Sequence, residues 1–199
     1  YASLFKLIHY IKSNYPDLFT IADAKRGDIG NTSLRYAKAF FEAMPFDSIT
    51  IAPYMGKDSV EPFLTYKDKH AILLALTSNH GAADFQVAKN AETPLFKEVL
   101  TTSLNYENAD RLMYVVGATK AEYLKEIRAL VPDAFLLIPG VGAQGGSLKG
   151  VFENGANKQI GLLVNSSRGI LYASKGEDYV AAAAKVAASL QNQMQKLLA

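Results

Sequence analysis

The segment Ala22-Asp-Ala-Lys-Arg-Gly-Asp-Ile-Gly-Asn-Thr32 sets Asp23, Lys25, Arg26 and Asp28 directly after the run Phe19-Thr20-Ile21-Ala22. Residues two apart on a strand share a face, so Asp23 and Lys25 stand together at a strand end. There Lys25 is flanked by acids and available as a proton donor. A solvated turn with a surface ion pair has the same local pattern. The rest of the composition narrows the chemistry. With 0 cysteines the chain has no thiolate nucleophile, disulfide or cysteine-based metal site. Its histidines, His9, His70 and His80, lack the i, i+4 or HExxH spacing of a zinc centre, so no metal is expected. What remains is charge and proton transfer. A reaction that builds negative charge on carbon beside an ammonium group suits this set.

A second group of residues fits an anion. Ile138-Pro-Gly-Val-Gly-Ala-Gln-Gly-Gly146 contains a G-x-G-x-x-G at Gly140, Gly142 and Gly145. A dinucleotide fold needs an acidic residue at the end of the next strand, yet that strand reads Leu162-Leu-Val-Asn165, without a carboxylate. A glycine-rich turn before a helix fits the run equally well. The strand continues as Ser166-Ser-Arg-Gly169. Barrels frequently bind phosphate with the loops after their last two strands. In that setting Gly145 and Gly146 permit close backbone approach to an anion, Gln144 donates from its amide, and Arg168 presents a planar fork.

These groups are carried by alternating elements. Nearly continuous apolar runs at Phe19–Ala24, Ser48–Ala52, Ala71–Leu76, Leu112–Val116, Phe135–Ile138 and Gly161–Val164 read as parallel strands buried on both faces. A leading amphipathic helix over Ala2–Tyr15, with Leu4, Leu7, Ile8 and Ile11 on its apolar face, precedes them. Helical patterns follow at Thr32–Met44, Ser59–Tyr66, Pro94–Leu104, Lys120–Leu130, Leu148–Asn154 and Glu177–Leu198. Asp58-Ser-Val-Glu61 and Thr119-Lys-Ala-Glu122 fit capping boxes. The alternation predicts an α/β fold with a parallel sheet. Polar residues gather after strands one, three, five and six. In an open sheet loops after strands so far apart seldom meet, whereas a (β/α)8 barrel turns all strand ends toward one mouth, so the expected fold is a TIM barrel with six of its eight strands represented.

The chain of 199 residues, 49% hydrophobic and 20% charged, is expected to form a single domain, 1–199, lacking the barrel's first two strands. It opens at Tyr1 inside a helical pattern, and an upstream segment is expected to be missing. A net charge of +2 with no basic run argues against nucleic acid. Val180–Leu190, interrupted by Lys185, is too short to span a bilayer and reads as an alanine-rich surface helix.

The wording of three motifs goes further. Asp23-Ala-Lys-Arg-Gly-Asp-Ile-Gly-Asn-Thr32, Pro139-Gly-Val-Gly-Ala-Gln-Gly-Gly146 and Val164-Asn-Ser-Ser-Arg-Gly-Ile-Leu-Tyr-Ala173 closely resemble orotidine 5'-phosphate decarboxylases. Ala52-Pro-Tyr-Met-Gly-Lys-Asp-Ser59 and Leu76-Thr-Ser-Asn79 resemble the family's longer, second bacterial-type branch. The resemblance extends to about Ser174. It implies a cytoplasmic, cofactor-free barrel that converts orotidine monophosphate to uridine monophosphate, the last step of pyrimidine synthesis. It also implies a homodimer with shared sites and no role for membrane or nucleic acid.

Carried over by motif, Lys25 protonates the carbon that loses CO2, and Asp23 sits beside the departing carboxylate. Asp28 crosses to the neighbouring subunit's site, and Thr32 lies near that contact. Ser78 bonds the pyrimidine, while Pro139, Gly140, Gln144, Gly145 and Arg168 belong to the phosphate end. Two departures stand out. The family's ribose-binding Asp and its further array Lys have no counterpart in this chain, and Ser167 stands where many members have Gly. Two alternatives are a metal-dependent sugar-phosphate decarboxylase of the same barrel family and an inactive phosphate-binding barrel. Asp28-Ile29 and Ser78 favour the nucleotide.

Overall fold

The computed structural model describes residues 1–87, 92–141 and 146–198. Helix α1 (Ala2–Asn14) leads into β1 (Ile21–Arg26), α2 (Gly30–Lys38), β2 (Ser48–Ile51), α3 (Lys57–Leu64) and β3 (His70–Leu76). There follow α4 (Ala82–Phe85), α5 (Leu95–Ser103), β4 (Leu112–Val116), α6 (Ala121–Leu130), β5 (Leu136–Pro139) and α7 (Leu148–Gly155). The chain ends with β6 (Leu162–Asn165), α8 (Arg168–Leu171) and α9 (Tyr179–Leu198). The sheet order is β1-β2-β3-β4-β5-β6, the order of the sequence. Each strand therefore reaches its neighbour through a helical connection, as the apolar runs predict.

By its internal contacts the chain divides into two compact units. The first comprises Tyr1–Ala75 and Ala91–Tyr114, the second Leu76–Asn90 and Val115–Ala199. In the first unit β2 pairs in parallel with β3 from Ser48↔His70 to Ile51↔Leu73. All four β2 residues are buried, which explains why Ser48-Ile-Thr-Ile51 lacks an inside-outside alternation. Val60, Phe63 and Leu64 of α3 and Phe96 and Leu100 of α5 supply buried side chains to this unit. In the second unit β5 and β6 pair from Leu136↔Leu162 to Pro139↔Asn165. Leu124 and Ile127 of α6 and Val151 of α7 are buried there.

Several local expectations need correction. Neither predicted capping box forms. Gly56, at φ 85, occupies the N-cap of α3, and Asp58 lies inside the helix. Thr119 lies in a 3-10 turn, Ala118–Lys120, and does not cap α6. A side-chain cap does form at α7, where Ser147 accepts from the Gly150 amide at 3.2 Å. The helix predicted over Thr32–Met44 begins two residues earlier and ends in a π-helical turn, Ala39–Ala43. On α1 only Ile8 is buried, while Leu4 and Leu7 are exposed. No residue of α9 is buried, in agreement with the surface helix expected there.

Candidate active site

The first unit carries Asp23, Lys25, Asp28 and Thr32. The structure brings Asp23 and Lys25 together: Lys25 Nζ donates to Asp23 Oδ1 at 2.5 Å, and both side chains are more than half exposed. They do not share a face through regular strand geometry alone. Ala22 pairs with Ile49 and Arg26 with Ile51, so three residues of β1 stand opposite Thr50 alone. This bulge places Lys25 at φ 47, a left-handed conformation uncommon for a side chain of this kind. Such strain costs on the order of 1–3 kcal/mol and clusters at active sites.

Thr50 holds the bulge. Its Oγ1 accepts the Lys25 amide at 3.0 Å and donates to Asp23 Oδ1 at 3.0 Å. Sequence reasoning missed this residue, because a threonine in an apolar strand reads as an ordinary strand former. Arg26 has a different employment. Its guanidinium donates to the Ala24 carbonyl at 2.8 Å and lies over the Tyr36 and Phe40 rings at 5.5 and 5.7 Å. That explains the second cation of the motif as packing.

Beyond the strand, Asp28 Oδ1 accepts the Ile29 amide at 2.7 Å, which turns the chain into α2. Buried Ser33 ties the turn down by donating to the Asp28 carbonyl, with the Ser59 carbonyl also within reach of its hydroxyl at 3.0 Å. Thr32 is exposed in the first turn of α2.

The second unit carries Ser78, Pro139, Gly140 and Arg168. Ser78 follows β3 and is half-buried. Its carbonyl accepts from Thr119 Oγ1 at 3.3 Å, and Gly117 packs directly against its main chain. A Cβ on Gly117 would lie 2.6 Å from the Ser78 nitrogen. Gln86 braces the preceding residue, its Oε1 accepting the Thr77 amide at 2.7 Å. Gly117 and Gln86 were not singled out from the sequence, and Thr119 was read there only as a helix cap. Each acts across a chain separation that local patterning cannot register.

Pro139 ends β5, and Gly140 follows at φ 95, a backbone conformation that favours glycine. Gly142, Gln144 and Gly145 lie outside the described residues. Gly146 has a packing reason for being glycine: a Cβ there would collide with that of Ala118 and sit 2.9 Å from the Gly140 carbonyl. Arg168 opens the short helix α8 with an exposed side chain, and among the described residues it has no ion-pair partner. Ser167, the departure noted in the sequence, adopts φ -90, so this position does not require glycine.

Comparison with known proteins decides among the readings. The description "Orotidine 5'-phosphate decarboxylase / HUMPS family" matches residues 1–186. The chain belongs to this family. A relative from Flavobacterium johnsoniae, named orotidine 5'-phosphate decarboxylase, is 62% identical over 196 residues, covering 98% of this chain and 72% of that protein. One from Porphyromonas gingivalis, with the same name, is 58% identical over 191 residues, covering 96% and 69%. Among solved structures, the Leishmania donovani OMP decarboxylase superposes with a TM-score of 0.80 at 33% identity, covering 96% of this chain and 73% of that one. The fold class is accordingly α/β of the (β/α)8 type, with six of its strands represented in this chain. The names of these relatives favour neither the sugar-phosphate decarboxylase nor the inactive barrel.

Proposed function

We propose that this chain decarboxylates orotidine 5'-monophosphate to uridine 5'-monophosphate as a carboxy-lyase of pyrimidine synthesis. The observation that carries the reading is the 2.5 Å contact between Lys25 and Asp23 at the end of β1, in a chain 62% identical to a protein of that name. The bond from the ring carbon to the carboxylate breaks, CO2 leaves, and the electron pair stays on the ring carbon. Lys25 Nζ delivers a proton to that carbon and is then reprotonated from solvent. A cation held within reach of the developing negative charge stabilises the transition state more than the substrate. Asp23 fixes the ammonium and stands beside the departing carboxylate. Because the proton comes from a side chain, the chemistry calls for no added metal or cofactor.

The remaining assignments belong to the same proposal. Ser78 bonds the pyrimidine, Arg168 holds the phosphate with Gln144, Gly145, Pro139 and Gly140, and Thr32 lies near the contact made by Asp28. Asp28 completes the site of a second copy, in a homodimer of single-domain (β/α)8 barrels working in the cytoplasm. Among the described residues no helix is long and apolar enough to cross a membrane. Arg168 is exposed and has no ion-pair partner among the described residues, which leaves its guanidinium open to an anion.

The test is turnover of orotidine monophosphate by the purified enzyme in EDTA, followed by loss of substrate absorbance. Full activity is expected, with Lys25→Ala lowering kcat about 10²- to 10⁴-fold while affinity for uridine monophosphate changes little. Activity that disappears with the chelator and returns with magnesium would overturn the reading in favour of a metal-dependent reaction.

A further inference from the structure

We propose that Thr50 is a positioning residue for the reaction, a buried clamp that sets the relation between Asp23 and Lys25; the inference rests on the decarboxylase reading above. Thr50 is fully buried on β2, where it pairs with Ile72 of β3. A β-branched side chain on such a strand has little rotamer freedom, so its hydroxyl is a fixed point. That hydroxyl is used in both directions. Oγ1 accepts the Lys25 amide at 3.0 Å, and its single proton goes to Asp23 Oδ1 at 3.0 Å rather than to the Ala22 carbonyl at 3.5 Å. The charged and nearer acceptor wins.

One oxygen atom therefore fixes the main chain of the lysine and the side chain of the aspartate. The exposed ion pair cannot do this by itself. With Lys25 52% and Asp23 61% exposed, solvent screens their attraction, and such pairs hold geometry weakly. Nor does the ladder do it, since the register of β1 breaks between Ala22 and Arg26. The left-handed φ of 47 at Lys25 needs a local partner for its amide, and Thr50 is that partner.

The clamp also divides the labour of the carboxylate. Oδ1 accepts from both Thr50 and Lys25, while Oδ2 has no hydrogen bond among the described residues. One oxygen is anchored and the other is left for the substrate. Loss of the hydroxyl should loosen this arrangement and slow the chemical step, with little effect on binding of the nucleotide.

The experiment compares Thr50→Val, which keeps the shape and removes the hydroxyl, with Thr50→Ser, which keeps the hydroxyl. In the intact enzyme Thr50→Val should lower kcat about 10- to 100-fold, with KM and uridine monophosphate affinity within about twofold of the parent. Thr50→Ser should recover most of the rate. Amide hydrogen exchange gives a readout independent of turnover: the Lys25 N–H should exchange at least about tenfold faster in Thr50→Val and stay protected in Thr50→Ser. Parental kcat in a folded Thr50→Val, or equal losses in both variants, overturns the proposal. If the parent fails to decarboxylate, the functional reading falls, and unchanged Lys25 exchange in Thr50→Val would separately overturn the clamp.

Discussion

Gly117→Ala tests whether the main chain behind Ser78 is a precision surface. A Cβ added at Gly117 would lie 2.6 Å from the Ser78 nitrogen and 2.7 Å from both its Cα and Cβ, whereas ordinary contact begins at 3.4 Å. The obstructing atoms are backbone, so no rotamer change relieves the clash, and Ser78 must retreat by about 0.8 Å. A displacement near 1 Å in a substrate-positioning group costs about 10²-fold in rate. The variant should therefore lose about 10- to 100-fold in kcat/KM for orotidine monophosphate. The same overpacking should cost about 1–3 kcal/mol of stability, read from the urea midpoint. Assays well below the unfolding transition separate the two effects. Thr119→Val removes only the 3.3 Å bond to the Ser78 carbonyl and should have the smaller effect. A Gly117→Ala enzyme that folds and keeps kcat/KM within twofold of the parent would refute the link between this contact and the substrate.

Arg128→Met should lower stability by about 3 kcal/mol or more in urea unfolding, because the guanidinium donates to the carbonyls of Val131, Pro132, Ala134, Gly155 and Gly161. Arg128→Lys should recover less than half of that loss, since an ammonium cannot span the same fan of acceptors. Stability should also fall on acidification in two stages. Burial lowers the His70 pKa, with Arg111 acting the same way and Asp47 and Asp110 opposing. The folded state thus favours neutral imidazole, and that contribution is present above about pH 6.5 and lost as pH falls through the depressed value. Burial opposes ionisation of Asp47, but hydrogen bonds from Lys12 and Thr20 outweigh it, so a second loss follows below about pH 4. Urea midpoints between pH 7.5 and 3 check both stages, and Asp47→Asn should remove the lower one.

The strands were legible because parallel strands covered on both faces must be nearly continuous apolar runs, and Ser48-Ile-Thr-Ile51 and Leu136-Leu-Ile-Pro139 are such runs. Asp23 and Lys25 were legible by type and spacing, although their contact depends on a bulge that spacing does not reveal. The predicted caps failed for a local reason. An Asp or Thr three residues before a Glu competes with whatever backbone conformation precedes it, and at α3 the left-handed Gly56 starts the helix first. The contacts of Thr50, Gln86, Thr119 and Gly117 stayed hidden because they join segments whose adjacency exists only after the chain has folded. A periodic pattern records which face a residue occupies, and says nothing about which polar atom it meets there.

The energetics of β1 point the same way as its geometry. An exposed ion pair returns about 0–1 kcal/mol, while a left-handed side-chain residue costs on the order of 1–3 kcal/mol, so Lys25 does not repay its own conformation through Asp23. The deficit must be met by neighbours that are well paired. Thr50 lies in a fully buried strand with unbroken β2–β3 register, and Ser33 anchors the Asp28 turn from a buried position. Relaxing the strain, for example by shortening the bulge, would stabilise the strand and carry Lys25 away from Oδ1. On the proposed reading of the site, a segment that is locally unfavourable yet held from beneath by buried hydroxyls keeps its geometry for its chemistry rather than for its contribution to folding.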